Sequence, residues 1–293
     1  MVIDTFLFDK DFAALKIRLA ELYNTVDLFI ISESSYSHSG IAKPLYLTEN
    51  LFQFSKYADK IMILTDTRKH LTKNPRIRQQ IQRNVITKQI KKMELKLGDL
   101  IIHSDCDEIP RASIIKSFIN KHTNALLQFT NYANYLNLSD GIWERCRVVS
   151  FKNFKSIQAL RQDIFIRSAY DSRRIRWPFL WIPDFFTTRR FYLYLFPKFI
   201  GFPILEVILN AGWHFNNLFP PSMIITKITN SSHVEWNTHK VRSSAIENYS
   251  QGKDIYTGKK FKLEKIDESY PECVFTNIQE WQNFIFKMDQ TTT

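Results

Sequence analysis

Gly98-Asp99-Leu100-Ile101-Ile102-His103-Ser104-Asp105-Cys106-Asp107-Glu108-Ile109-Pro110 joins a helix stop, a short apolar strand and a turn with three carboxylates. Gly98 ends whatever helix precedes it, Asp99 to His103 reads as a buried strand, and the turn follows directly. Upstream, residues 75–97 carry Ile77, Ile81, Val85, Ile86, Ile90, Met93 and Leu97 at helical spacing. The opposite side of that helix carries Arg76, Arg78, Arg83, Lys88, Lys91, Lys92 and Lys96. Earlier still come a strand over 2–8, a helix over 11–23, a strand over 26–31, a short helix over 49–58 and a strand over 60–65. Repeated βα units of this length predict an α/β fold with a doubly wound, mostly parallel sheet of Rossmann-like type. Ligands of such sheets bind beyond the carboxyl ends of the strands, where the acidic turn sits.

Past residue 111 the alternation weakens, which suits a smaller acceptor-side sheet with insertions. A helix is expected over 111–121, strands over 124–130, 145–150 and 162–168, and helices near 221–228 and 238–250. The aromatic stretch 177–211 is interrupted by Pro197, Lys198, Pro203 and Glu206, too often for a membrane span. The expected organisation is one domain over 1–285, divided into a nucleotide-binding half (1–110) and an acceptor-side half (111–285), with a polar tail over 286–293.

The 293 residues are 44% hydrophobic and 14% aromatic, a folded composition rather than a disordered one. Cys106, Cys146 and Cys273 match neither a disulfide framework nor a zinc spacing. The first residues, Met1 to Asp9, have no basic segment and too few apolar residues for a signal peptide or anchor, so a cytoplasmic location is expected. The net charge of +11 is local: residues 66–96 hold ten basic and two acidic side chains, and 144–200 hold twelve and four. Such patches attract phosphates, whether of nucleic acid, an anionic membrane or a small diphosphate. Arg173, Arg174, Arg176, Arg189 and Arg190, interleaved with Trp177, Phe179 and Trp181, suit peripheral contact with an anionic membrane.

Three carboxylates within four residues repel one another unless a divalent cation joins them, and hard oxygen donors suit Mn2+ or Mg2+. The alternative is that Asp107 or Glu108 caps the helix after Pro110. The chemistry that uses a metal at such a turn is transfer from a nucleotide diphosphate, of which a sugar nucleotide is one example.

The turn 104–110 resembles the acidic motif of glycosyltransferase family 17. Arg18-Leu19-Ala20-Glu21-Leu22, Val26-Asp27, Glu33-Ser34 and Lys43-Pro44-Leu45 are similar to that family's N-terminal block in order and spacing. So are Gln82-Arg83-Asn84, Ala211-Gly212-Trp213-His214-Phe215, Ser232-His233-x-Glu235 and Gly252-Lys253-Asp254 further on. The resemblance implies a GT-A fold, a UDP-GlcNAc donor, a glycan acceptor and inversion at the anomeric carbon. From the position of the turn at a strand's carboxyl end, Asp107 is expected to hold the metal and Asp105 to contact metal or nucleotide, and the resemblance implies that His214, otherwise a satisfied core histidine, completes the metal shell. Glu33 is either a ribose or base ligand or a surface carboxylate, Arg83 either a diphosphate ligand or a solvated cation, and Lys253 joins the nucleotide-side candidates. The stretch 170–210 has no counterpart in the family pattern, so the acceptor is left open.

The resemblance to inverting GT-A enzymes implies a catalytic base between the acidic turn and His214, ranked Asp184, then Asp171, then Glu144. Apolar neighbours of Asp184 would raise its pKa, whereas Asp171 lies beside Arg173 and Arg174. The competing readings are a metal-dependent nuclease or other phosphoryl-transfer enzyme, and a non-catalytic membrane-surface protein. No nucleic-acid module is recognisable, so no nucleic-acid partner is expected.

Overall fold

The structure, a computed structural model, describes residues 1–121, 123–161, 206–231 and 233–287. Its N-terminal half alternates β1 (Val2–Phe8), α1 (Phe12–Leu22), β2 (Leu28–Ser34), α2 (Tyr46–Glu49), β3 (Ile61–Asp66), α3 (Pro75–Ile90) and β4 (Leu100–His103). β1 pairs in parallel with β2 and β4, and β2 with β3. Every residue of β1 is buried, because the sheet is covered on both faces. Val2, Phe6 and Phe8 pack with Leu15 and Leu19 of α1, while Ile3 and Leu7 pack with Ile86 and Ile90 of α3. That alternation along one strand is what a doubly wound sheet requires.

The acceptor-side half continues the same sheet. It comprises β5 (Glu108–Pro110), α4 (Ala112–Phe118), β6 (Asn124–Ala133), β7 (Leu138–Ser150), α5 (Ile157–Arg161), β8 (Glu206–Ile208), β9 (Gly212–Asn216), α6 (Ile224–Asn230), α7 (His239–Ser250), β10 (Lys262–Leu263) and α8 (Glu272–Phe275). Strand order is β3-β2-β1-β4-β7-β6-β9-β5, with β8 beside β6 and β10 beside β7. The junction is antiparallel, His103 of β4 standing opposite Arg147 of β7. β1 lies between β2 and β4, so the chain leaves it on one side and returns on the other. The crevice above the ends of β1 and β4 is therefore the topological switch point.

Two expectations need correction. α3 ends at Ile90, not at Gly98, because Met93 and Lys92 turn back on Ile90 and Gln89 and the Asp99 carboxylate captures the Lys96 amide. Its buried face is Gln82, Arg83, Ile86, Thr87 and Ile90, whereas Ile77 is 43% exposed. Polar side chains occupy that face because each finds a partner there: Gln82 donates to the Ser32 carbonyl, and Thr87 accepts from the Ile157 amide. The expected strand over 162–168 lies outside the described residues, as do the five arginines of 173–190. None of the described helices is long and apolar enough to cross a membrane.

Candidate active site

A cleft of about 480 Å³ opens at the switch point. Its floor is formed by the loop after β1, with Asp9, Lys10 and Asp11, and by the acidic turn after β4. Tyr36, His38, Lys227, Trp236 and Tyr256 also line it.

The turn is held from behind by Arg18. This α1 residue is fully buried, makes a bidentate pair with Asp4 of β1 (2.6 and 2.7 Å), and stacks over Phe6. Its remaining N–H groups donate to the Asp105 and Glu108 carbonyls and to Ser104 Oγ. Glu21, one turn further along α1, accepts from the Ala112 amide and fixes the turn's exit. Glu108 serves as a staple: its carboxylate accepts from the Asp105 amide, from Trp143 Nε1 at 2.7 Å and from Arg161 at 2.7 and 2.8 Å. Arg161 also pairs with Asp105, and Arg83 approaches the same carboxylate at 3.7 Å. Burial alone would raise the Asp105 carboxyl, but Arg161 and then Arg83 outweigh it and hold it well below the usual range.

Asp107 faces the other way, into the cleft. Its Oδ2 lies 3.6 Å from Nε2 of His214, and Nδ1 of His214 is buried without a partner. Burial would raise the Asp107 carboxyl too, and His214 is the main influence that brings it below its ordinary value. His214 is placed by β9, which pairs with β5 so that His214 stands opposite Glu108. Trp143 stacks on the imidazole at 4.5 Å between ring centroids, fixing its plane. The two strands approach so closely that a Cβ on Gly212 would lie 2.2 Å from the Ile109 carbonyl oxygen, so only glycine fits there. Asp11 is raised to about 6, chiefly by burial, with Lys227 opposing and Asp107 reinforcing the rise.

Among the described residues no group of three or more His, Cys, Asp or Glu is arranged to hold a metal. Asp107 and His214 are the residues that would hold a divalent cation, which would there offset the charge of a bound phosphate. One carboxylate and one imidazole are donor types that suit such a cation.

The structure thus gathers Asp105, Asp107 and His214 in one cleft. It places the other expected residues elsewhere. Glu33 is buried and accepts from the Leu47 and Thr48 amides and the Thr48 hydroxyl, capping α2 instead of contacting a nucleoside. Arg83 is buried behind Asp105, not solvated and not on the cleft wall. Lys253 bonds Gln251 on the surface, away from the cleft. Glu144 is buried in β7 beside Gln128, off the cleft. Asp171 and Asp184 lie outside the described residues. Sequence reasoning missed Asp11, Trp143, Arg161 and Lys227. For Lys227 a signal existed: Ile224 and Ile228 are buried at i,i+4 spacing, which turns the intervening Thr226 and Lys227 toward the cleft.

The doubly wound half, the acidic turn at its switch point and the sheet extension beyond it define an α/β enzyme of GT-A type. Residues 1–161, more than half of the chain, match the family model of glycosyltransferase family 17. The chain belongs to that family: it is a glycosyltransferase, with a sugar donor and a glycan acceptor as substrates. No curated protein matches it.

Proposed function

We propose that the enzyme moves N-acetylglucosamine from UDP-GlcNAc to a hydroxyl of its glycan acceptor, with inversion and with the aid of Mn2+ or Mg2+. The observation that carries the metal-dependent part is Asp107 and His214 converging at 3.6 Å on the cleft of the switch point. These two side chains would hold the cation, which when bound would neutralise charge on the diphosphate leaving group. The donor identity and the inversion rest on the family resemblance of residues 18–45, 82–84, 104–110 and 211–215. In this reading residues 1–110 carry most of the donor site, and 111–285 supply the acceptor side together with His214. Asp105, held by Arg161 and Arg83 with its side chain 35% exposed, presents a carboxylate edge to the nucleotide rather than acting as a metal ligand.

Transfer is a direct displacement. A carboxylate, with Asp184 ranked ahead of Asp171, accepts the acceptor's proton as its oxygen attacks the anomeric carbon. Family membership favours this account over a nuclease or a non-catalytic surface protein. Peripheral contact of 173–190 with an anionic membrane is a further part of the proposal. It predicts salt-sensitive flotation with acidic liposomes, and equal recovery with neutral ones would remove it.

The test of function is UDP release from a panel of UDP-sugars, with and without Mn2+, followed by the anomeric configuration of the product. Activity with UDP-GlcNAc that disappears in chelator, giving a β-linked product, supports the proposal. A different preferred sugar, full activity in chelator or an α-linked product would each overturn the corresponding part.

A further inference from the structure

The cleft must accept a diphosphate although Asp9, Asp11, Asp105, Asp107 and Glu108 all line it. Most of this negative charge is already answered. Asp105 and Glu108 are held by Arg161, and Asp9 lies 3.3 Å from Lys43, whose side chain is only 5% exposed. Arg83 and Arg161 are committed behind the turn, so neither is placed to meet a ligand on its open side.

Lys227 differs from these. Its ammonium stands 3.3 Å from Asp11 Oδ1 and above the Phe219 ring, and its side chain is 34% exposed in the cleft. α6 anchors it through buried Ile224 and Ile228, and Lys227 lines the same cleft as Tyr36 and His38. The contact with Asp11 is a single one, longer than the bidentate Arg18–Asp4 and Arg161–Glu108 pairs that hold the turn, and Lys227 is more exposed to the cleft than Lys43, which has the same spacing to Asp9. An ammonium is a compact charge with three rotatable donors, able to exchange one oxygen partner for another nearby.

We propose that Lys227 is a catalytic residue that leaves Asp11 to bind the β-phosphate of the donor, and that Asp11 is its resting partner. This inference rests on the nucleoside-diphosphate donor proposed above. As the acceptor oxygen forms its bond to the anomeric carbon, the bond from that carbon to the β-phosphate oxygen breaks. The bonding pair stays on that oxygen, the acceptor's proton passes to the base, and Lys227 keeps its own proton while donating a hydrogen bond to the charged oxygen. Lys227 lies beyond the family-matched segment 1–161, so family membership does not assign it this role.

The experiment is calorimetric titration of UDP and of UMP, in Mn2+, into the full chain and its Lys227→Met, Lys227→Arg and Asp11→Asn variants. Loss of a charge-assisted hydrogen bond predicts that Lys227→Met weakens UDP about tenfold or more and UMP by less than about twofold. Lys227→Arg should retain UDP within a few-fold, and Asp11→Asn should bind UDP more tightly than the parent. Equal weakening of UDP and UMP, or unchanged UDP binding in Lys227→Met, would overturn the assignment of Lys227. Weaker UDP binding by Asp11→Asn would overturn the role of Asp11. If the parent chain binds neither nucleotide, the donor reading itself fails, and this inference with it.

Discussion

The two faces of the acidic turn are built on opposite principles. Behind it, Arg18, Asp4, Glu108 and Arg161 are buried and joined by short or bidentate contacts that leave their charges matched. In front of it, Asp107, His214, Asp11 and Lys227 meet at 3.3–3.6 Å, and each retains capacity for a further partner. The same segment of chain, residues 104–108, supplies both. Backbone carbonyls and Glu108 are used to hold the turn, and the Asp107 side chain is left for a ligand. Charge partners distinguish a carboxylate that supports a site from one that serves it better than spacing does: Asp105 and Asp107 are two residues apart, yet Asp105 is paired with Arg161 and Arg83 and Asp107 meets His214.

The sharpest way to break that comparison is at its rear. Arg18→Met leaves Asp4 as a buried, unpaired carboxylate and frees the Asp105 and Glu108 carbonyls, so chemical denaturation should reveal a loss of about 3–5 kcal/mol. A loss below about 1 kcal/mol would mean that the turn does not depend on this anchor. Gly212→Ala should cost about 1–3 kcal/mol, because the added methyl meets the Ile109 carbonyl backbone at 2.2 Å. It should also depress activity, since β9 must shift and carries His214 with it. Normal activity would show that His214 tolerates displacement.

A smaller effect lies away from the site. Asp66, at the end of β3, is brought to about 2; burial opposes the shift, and hydrogen bonds from Arg68 and His70 outweigh it. A carboxyl whose folded-state pKa is depressed stabilises the fold above its unfolded pKa and loses that contribution as pH falls toward the folded value. Between about pH 4 and pH 2 the parent should therefore lose on the order of 1 kcal/mol that Asp66→Asn does not, since exposed Arg68 is screened by solvent. Parallel stability curves for the two proteins over that interval would refute it.

The doubly wound half was legible because its signals are local. β1 to β4 and their helices follow apolar periodicity, and their boundaries agree to within a few residues except at the end of α3 and at the helix expected over 49–58, where α2 ends at Glu49 and a 3-10 helix follows over Leu51–Lys60. Asp107 and His214 were also within reach, since each sits in a recognisable motif. The rear scaffold was not. Arg18, Arg83 and Gln82 look like surface residues in a one-dimensional pattern, yet each is buried by a partner far along the chain: Asp105 for Arg83, Ser32 for Gln82, and the acidic turn for Arg18. Glu33 failed for the related reason that a carboxylate at a strand's end can cap a neighbouring helix as readily as it can face a ligand. The strands β5, β8 and β9 are three to five residues long and gain their identity from pairing, which no short window of sequence contains.

The front face is tested most directly by Asp107→Asn, which keeps the shape of the side chain and removes its charge. UDP release from UDP-GlcNAc in Mn2+ should fall by several orders of magnitude, while the thermal unfolding midpoint stays close to that of the parent, because Arg18, Glu108 and Arg161 hold the turn and the Asp107–His214 contact does not. Near-parental turnover in this variant, with the fold intact, would contradict the claim that Asp107 serves the ligand while Arg18, Glu108 and Arg161 hold the turn.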